Sequence, residues 1–213
     1  MRSRQEIRSE ETKNAIITAA GRLFAEQGYE AVTMREIAKA VGCSHTTIYI
    51  YFKDKEALLH QLSMGPMQAL QANMESVLAD PALSPDERLK LVTNDFIEFC
   101  FQNRNMFTIF FITKATRVDE VDPVLEINKL RIHLFAMLQQ AIRSCLQGDI
   151  SDGGELAYAR IYFFMLHGMV ATYVHSEEPV ESLMERLTPT FRLGIDALLA
   201  GFKQTCQEGV DLK

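Results

Sequence analysis

The side chains best suited to chemistry follow one another closely around residue 47. His45, Thr46, Tyr49 and Ile50 combine hydrogen-bonding groups with rings and methyl groups, a mixture that can contact base edges, thymine methyl groups and phosphates. The sequence contains no Gly-x-Ser-x-Gly elbow, no glycine-rich nucleotide loop and no His-Glu-x-x-His motif, and none of its histidines follows a Glu by three residues. We therefore expect a binding surface rather than an enzyme, with no metal and no cofactor.

Three helical segments position these residues. Apolar side chains recur at helical spacing over Thr12–Gln27 and Met34–Val41, and Gly28 and Gly42 follow them as left-handed stops. A third helix, His45–Tyr51, is expected after a serine cap. Two short helices joined by a glycine-containing turn form a helix-turn-helix, which lays its second helix in the major groove of DNA.

The sequence between Thr33 and Leu59 resembles the TetR family of transcription regulators. Members of that family have a small Ala in the first helix of the motif, a Gly in the turn, and then a Thr-aliphatic-Tyr-x-x-Phe-Lys-x-Lys-Glu-x-Leu run. Ala38, Gly42 and residues 47–58 match this pattern. The match is specific because it joins several residue types at fixed spacing.

The resemblance covers about residues 10–60. It implies an all-α fold, with an N-terminal three-helix helix-turn-helix DNA-binding domain over residues 1–60 and a larger helical ligand-binding and dimerisation domain over residues 61–213. It also implies a transcription regulator, by family habit a repressor, that binds an inverted-repeat operator on double-stranded DNA as a homodimer. A helical small-molecule-binding protein without a DNA role is the alternative.

The family roles, carried over position by position, divide the candidate DNA contacts into groups. The first group meets the backbone or an adjacent base edge, the second contacts phosphates, and the third reads bases, with an isoleucine touching thymine methyl groups. The first group is Thr33 and Arg35, and the second is Thr47, Tyr49 and Lys55. The third is His45, Thr46 and Ile50, and Ser44 and Tyr51 complete the expected surface.

Charge is distributed unevenly along the chain. The net charge is −6, but residues 1–60 carry +1 and residues 61–213 carry −7, so the acidity lies outside the expected DNA-binding part. The basic stretch from Arg2 to Arg8 is open to two interpretations, an unstructured solvated tail or a minor-groove arm.

Scattered cysteines and a charged beginning of the sequence favour a reducing cytoplasm. The longest stretch without Asp, Glu, Lys or Arg, Ile161–Ser176, is too short and too polar to span a bilayer comfortably. We therefore expect no contact with the membrane.

The remaining sequence predicts a series of longer helices. A helix capped by Asp54 is expected to reach Leu78, and Gly65-Pro66 should kink or split it because proline removes a backbone donor. The other expected elements are helices over Pro85–Asn103, Asp122–Leu146, Glu155–His175 and Pro189–Lys203, the last capped by Thr188, with an apolar segment at Met106–Ile112 and a loop at Gly148–Gly154.

The stretch from Ile161 to Val174 has no charged residue and apolar side chains all round, so such a helix must be covered on every side. The family resemblance implies that it forms a four-helix dimer interface with the last helix of each subunit. A single deeply buried helix in a monomer is the alternative. The expected interface residues are Phe164, Met165, Met169, Tyr173, Phe191, Ile195, Leu198 and Leu199.

Aromatic and methionine side chains also gather where the family places its inducer pocket. Such side chains make adaptable cavities for flat or apolar molecules, although the same stripes can be plain core. We expect a hydrophobic or aromatic small-molecule inducer. The candidate pocket residues are Phe96, Phe99, Cys100, Phe101, Met106, Phe107, Phe110, Phe111, His133, Met137, Tyr158, Tyr162 and His167.

The helix that begins after Asp54 is the only connection between the two domains that the sequence predicts. A ligand weakens DNA binding only if it binds more tightly to a conformer whose recognition helices are not spaced to fit the operator. Gly65-Pro66 is therefore either a hinge within this helix or a static kink.

Overall fold

The computed structural model describes residues 3–118, 120–147, 150 and 152–208, and its regular structure within these residues is entirely helical. A 3-10 turn at Arg104–Met106 precedes α6. The helices are α1 (Arg4–Gln27), α2 (Met34–Val41), α3 (His45–Tyr51), α4 (Lys55–Ala79), α5 (Pro85–Gln102), α6 (Phe107–Phe111), α7 (Glu126–Cys145), α8 (Asp152–Tyr173) and α9 (Val180–Gln207).

Local capping explains why the three N-terminal helices begin and end where they do. Thr33 and Glu36 form a capping box at α2, and Gly42 ends that helix in the left-handed conformation with φ of 77°. The Ser44 side chain accepts a hydrogen bond from the backbone N–H of Thr47 and so caps α3. The predicted bounds of α2 and α3 are therefore confirmed.

Helices α1, α2 and α3 pack around a small apolar core that fixes the angle between them. Ile16, Ile37 and Ile48, one from each helix, are completely buried. At Gly21, a Cβ atom would lie 3.1 Å from a methyl group of Leu62, so the glycine permits the close approach of α1 to α4.

The basic N-terminal stretch is helical. Ser3 and Glu6 form a capping box, and α1 begins at Arg4 rather than at Thr12. Arg4 and Arg8 are exposed on this helix, so neither an unstructured tail nor an extended arm describes them. Arg2 lies outside the described residues.

The C-terminal part is built on α5, which packs against α4, α7, α8 and α9. A proline in the first turn and a capping box between Ser84 and Glu87 begin this helix at Pro85, as expected. Its inward face contributes Leu89, Val92 and Ile97 to the core. None of the helices in the described part of the chain is long and apolar enough to cross a bilayer.

α4 runs unbroken past Pro66, so of the two outcomes expected at Gly65-Pro66, a kink or a split, the split does not occur. The expected beginnings of α7 and α9 are wrong because tertiary packing outweighs local signals. α7 begins at Glu126, because Pro123 is buried against the core instead of occupying a first turn. α9 begins at Val180 with Pro189 inside it and no cap at Thr188, because the buried Leu183 and Leu187 stabilise the turns before the proline.

The expected loop at Gly148–Gly154 is shorter than predicted, since α8 already begins at Asp152. Gly148, Asp149 and Ser151 lie outside the described residues. Within the described part of this helix, Ile161 and Phe164 are exposed, so α8 is not covered on all sides by its own chain.

Candidate nucleic-acid interface and ligand cavity

α3 presents a compact set of side chains to the outside. His45, Thr46, Tyr49 and Ile50 are all exposed, with Ile50 76% exposed, and their i, i+1, i+4, i+5 spacing places them on one face. The rings of His45 and Tyr49 meet edge to face with centroids 5.1 Å apart. On the opposite side Ile48 is completely buried. The helix is thus anchored from behind, and its four outward side chains are free to contact another molecule.

Several other expected DNA contacts are engaged within the chain. The hydroxyls of Ser44 and Thr47 lie 2.7 Å apart and cap α3. The Thr33 hydroxyl donates to Glu36 over 2.7 Å. The Tyr51 hydroxyl accepts a hydrogen bond of 3.4 Å from Ser9 of α1. These side chains position the surface, while the neighbouring Arg35 is exposed beside it.

Lys55 differs most from its expected role as a phosphate contact. Its ammonium group donates to the backbone carbonyl oxygens of Tyr29 at 2.7 Å, Val32 at 3.0 Å and Glu30 at 3.3 Å. It also lies 4.4 Å from the centre of the Tyr29 ring. All three donors of the ammonium group are therefore used to hold the connection between α1 and α2.

Lys53 was not among the residues expected from the sequence. Its side chain, two residues after the end of α3, is 84% exposed, and its ammonium group lies 3.8 Å from the carboxylate of the neighbouring Asp54. Such an exposed ammonium group suits phosphate contact better than the engaged one of Lys55. Lys53 and Lys55 lie in the same Phe-Lys-x-Lys run, so nothing in the sequence indicates which of the two contacts phosphate.

A cavity of about 200 Å³ lies in the C-terminal part between α4, α5, α7 and α8. Its wall is mostly aliphatic and aromatic, and its polar members are Thr93, Thr116 and Arg131. The lining residues are Met74, Val92, Thr93, Phe96, Phe111, Ala115, Thr116, Val118, Arg131, Leu134, Phe135, Leu138, Phe163 and Leu166.

Most of the expected pocket residues lie outside this wall. Phe96 and Phe111 line the cavity. The His133 side chain is about half exposed and lies 3.7 Å from Glu75. The members that pack elsewhere in or around the core are Phe99, Cys100, Phe101, Met106, Phe107, Phe110, Met137, Tyr158, Tyr162 and His167.

Tyr162 and His167 do not line the cavity but contact residues that do. The Tyr162 hydroxyl, fully buried, lies 2.8 Å from the Thr93 hydroxyl, which itself donates to the carbonyl oxygen of Leu89. Burial raises the pKa of Tyr162 well above its ordinary value. His167 lies between the rings of Phe107 and Phe163, and burial lowers its pKa.

Arg131, on the cavity wall, was also missed by the sequence reasoning. A signal was available, because Ile127, Leu134 and Leu138 repeat on the same face of α7 and are buried. An arginine within such a stripe faces the interior. Burial lowers the pKa of its guanidinium to about 10.

The segment after α6, residues 112–118, joins the cavity to the N-terminal helices, and we call it the strap. Ala115, Thr116 and Val118 of the strap line the cavity. Lys114 forms an ion pair with Glu56 in the first turn of α4 and lies 5.8 Å from the centre of the Tyr29 ring.

The connection between the two parts is therefore broader than the sequence suggested. α1 contacts both the 3-10 turn and α6, and the strap contacts the beginning of α4. α4 is thus not the sole link between the N-terminal helices and the rest of the molecule.

The outer faces of α8 and α9 form an exposed apolar surface. Phe164 is 65% exposed and Leu193 is 70% exposed. Met165, Met169, Tyr173 and Leu198 are half-buried at its edges. The other expected interface residues, Phe191, Ile195 and Leu199, are buried within their own chain.

Comparisons with known proteins agree with this geometry. Residues 16–62 match the family described as bacterial regulatory proteins, tetR family. The chain is 39% identical over 146 residues to the HTH-type transcriptional regulator AcrR of Shigella flexneri. This match covers 67% of this chain and 67% of the relative. It is 28% identical over 166 residues to the fatty acid metabolism regulator protein of Bacillus subtilis, covering 76% of this chain and 84% of the relative.

A solved structure has the same fold. It is that of the transcriptional regulator FadR from Bacillus subtilis in complex with stearoyl-CoA. The TM-score is 0.60 at 20% identity, and the match covers 88% of this chain and 97% of the other.

Proposed function

This chain belongs to the TetR family of bacterial regulatory proteins and is a DNA-binding transcriptional regulator; we propose that it is a repressor, released from its operator by a hydrophobic small molecule. The observation that carries the proposal is the outward face of α3. Four exposed side chains project there from a helix whose other side is buried in the core.

The chemistry of this face suits sequence-specific reading in the major groove. Thr46 and His45 have groups that can hydrogen bond base edges, and the 76% exposed Ile50 can pack on thymine methyl groups. Tyr49 and Lys53 lie at the side of the face and would contact phosphates, with Arg35 reaching the backbone or an adjacent base edge from α2.

A homodimer would present two such faces to one duplex. The exposed apolar surface around Phe164 and Leu193 supports this, because apolar patches of this kind on helices are covered by a partner in stable assemblies. A two-fold dimer reads an inverted repeat, with half-sites about one helical turn or slightly more apart.

The cavity in the C-terminal part is the site we assign to the inducer. Its wall is largely apolar and its few polar groups converge on one space, the usual design of a small-molecule site. An apolar ligand is also supported by the similar proteins, because one is a fatty acid metabolism regulator and another has stearoyl-CoA bound.

The strap provides a route from the cavity to the DNA-binding part. A ligand that moves Thr116 or Val118 displaces the same segment whose Lys114 holds Glu56 of α4. Occupancy of the cavity then favours a spacing of the α3 helices that does not fit the operator.

Selection of bound DNA from a random pool, followed by salt-dependent binding measurements, tests the DNA assignment. Thr46→Ala should relax sequence preference, whereas Tyr49→Ala should weaken binding to every sequence and leave the salt slope unchanged, because a tyrosine hydroxyl carries no charge and releases no counter-ion. The role assignment is wrong if both variants act equally on matched and mismatched sites. The proposed function itself fails if the purified protein prefers no duplex over a polyanion competitor at moderate salt.

A further inference from the structure

The cavity wall contains a cation, Arg131, that no carboxylate of the described residues neutralises. The guanidinium of Arg131 donates from Nε to the carbonyl oxygen of Phe110 at 2.6 Å and from Nη2 to that of Ile109 at 2.9 Å. Nη1 donates to the carbonyl oxygen of Thr113 at 3.0 Å and to Oδ1 of Asn128 at 2.7 Å. All four acceptors are neutral, and Arg131 has no ion pair with a carboxylate among residues 3–118, 120–147, 150 and 152–208.

A guanidinium has five N–H groups, so these four bonds leave one Nη2 hydrogen without a partner in the part of the chain that the structure describes. The charge also stays in place, because a pKa of about 10 keeps Arg131 protonated at neutral pH. A charge that is even partly buried without a counter-ion is costly, and an anion brought beside Arg131 relieves that cost. The site thus prefers an anionic group over a neutral one of the same size.

The size of the cavity limits what that anion can be attached to. A cavity of about 150 Å³ accommodates benzene, and this one is about 200 Å³. It therefore has room for a substituted ring or for a chain of about eight carbons. A long acyl chain would require the surrounding helices to move apart.

We propose that the cavity binds a small apolar monocarboxylate, whose carboxylate accepts the remaining Nη2 hydrogen of Arg131. The inference rests on the proposed inducer role of the cavity and names the chemical class of its ligand. The apolar body of the ligand packs against Phe96, Leu134 and Phe163, while its carboxylate supplies the charge that the wall of the cavity lacks.

Calorimetric titration of the full chain with octanoate and with octanamide tests this inference without any mutation. The two probes have the same chain and differ in charge. Octanoate should bind about 10- to 100-fold more tightly, the range expected for a hydrogen bond to a charged group. Stearoyl-CoA should bind more weakly than octanoate. Equal or weaker binding of octanoate relative to octanamide would overturn the inference.

Two arginine variants test whether Arg131 causes the preference for octanoate over octanamide. Arg131→Gln should abolish the preference for octanoate while leaving octanamide binding in place. Arg104→Gln is the matched control, because Arg104 likewise donates to backbone carbonyl oxygens, those of Phe101, Ser176 and Glu178, but does not line the cavity. It should keep the preference. If Arg131→Gln does not fold, Arg131→Lys should retain a reduced preference for octanoate.

The failure of this inference differs from the failure of the proposed function. If octanamide binds as well as octanoate and both release operator DNA, the inducer role stands and the anion site is wrong. If neither probe binds and operator DNA is released by stearoyl-CoA alone, the monocarboxylate is excluded while regulation stands. If the protein does not bind a specific duplex at all, the proposed function fails first.

Discussion

At the scale of single residues, Lys53 and Lys55 stand two positions apart and have opposite surroundings. Lys53 is 84% exposed, whereas Lys55 donates to three backbone carbonyl oxygens. Similar side chains in one short motif can therefore have different surroundings, one exposed to solvent and one bonded within the fold.

This difference predicts distinct phenotypes for the two lysines. Lys53→Ala should weaken binding to all DNA sequences and reduce the salt slope by about 0.9, without loss of stability. Lys55→Ala should lower the free energy of unfolding by about 1 kcal/mol, because half-buried carbonyl oxygens lose their donors. Fluorescence anisotropy at several salt concentrations and urea denaturation measure the two effects. A salt slope lowered by Lys55→Ala alone would restore Lys55 as the phosphate contact.

Two buried hydroxyls give stability predictions of opposite sign. Ser63 is completely buried in α4 and its Oγ has no hydrogen-bond partner in the described part of the chain. Ser63→Ala should therefore raise the free energy of unfolding by about 1 kcal/mol. Thr93 is equally buried but satisfied, and Thr93→Val leaves the Tyr162 hydroxyl unpaired at a cost of about 1–3 kcal/mol. Urea denaturation of both variants checks the pair, and a loss of stability in both would contradict it.

At the scale of elements, local signals predicted α2 and α3 well and the beginnings of α1, α7 and α9 less well. The caps of α2 and α3 and the Gly42 stop after α2 define these two helices, because short helices depend on their ends. The beginnings of α7 and α9 were missed, because Pro123 before α7 is buried and Leu183 and Leu187 in the first turns of α9 pack into the core. Sequence patterns describe a residue's neighbours in the chain, and these boundaries depend on neighbours in space.

The same limit applies to the candidate site. The outward face of α3 followed from the motif, since Ile48 had to point inward. The cavity did not, because a stripe of Phe and Met looks the same whether it fills the core or surrounds a space. Only the position of Arg131 on the apolar face of α7 indicated an unusual interior.

The strap predicts a variant that separates ligand binding from its effect on DNA. Lys114→Ala removes the ion pair to Glu56, so the ligand should shift operator affinity about 3- to 10-fold less, within the usual range of coupling. Ligand affinity of the free protein should change little. Lys129→Ala, which breaks an exposed pair with Glu126, is the control. Operator titrations with and without octanoate measure the effect, and unchanged coupling would exclude the strap.

A hinge at Gly65-Pro66 remains a separate prediction about α4. Pro66→Ala supplies the backbone donor that proline lacks and should stiffen the helix. The inducer response should then change more than the operator affinity. Titrations of operator DNA at fixed inducer concentrations compare the two quantities, and an unchanged response would favour a static helix.

At the scale of the whole molecule, the distribution of charge and the exposed apolar surface favour a particular arrangement of two chains on DNA. Residues 61–213 carry a net charge of −7 and residues 1–60 carry +1. An assembly that binds DNA must turn the N-terminal parts toward the duplex and hold the acidic parts away from it. Pairing through α8 and α9 joins two chains by their C-terminal parts and meets this requirement.

That arrangement predicts the consequence of a charge placed on the apolar surface. Phe164 is 65% exposed, and Phe164→Glu should dissociate the dimer because a charge cannot be buried there without a partner. Val121→Glu is the control, since Val121 is 99% exposed and lies outside this surface. Light scattering during size-exclusion chromatography should find a monomer only for Phe164→Glu.

Loss of the dimer should affect paired half-sites far more than a single one. Each chain holds one α3 helix, so a monomer keeps its affinity for a half-site but loses the gain from binding two at once, which amounts to about 100-fold or more. Operators with one and two half-sites, titrated with both variants, separate these contributions. A monomer that still binds the full inverted repeat as tightly as the parent protein would show that pairing does not create the operator affinity.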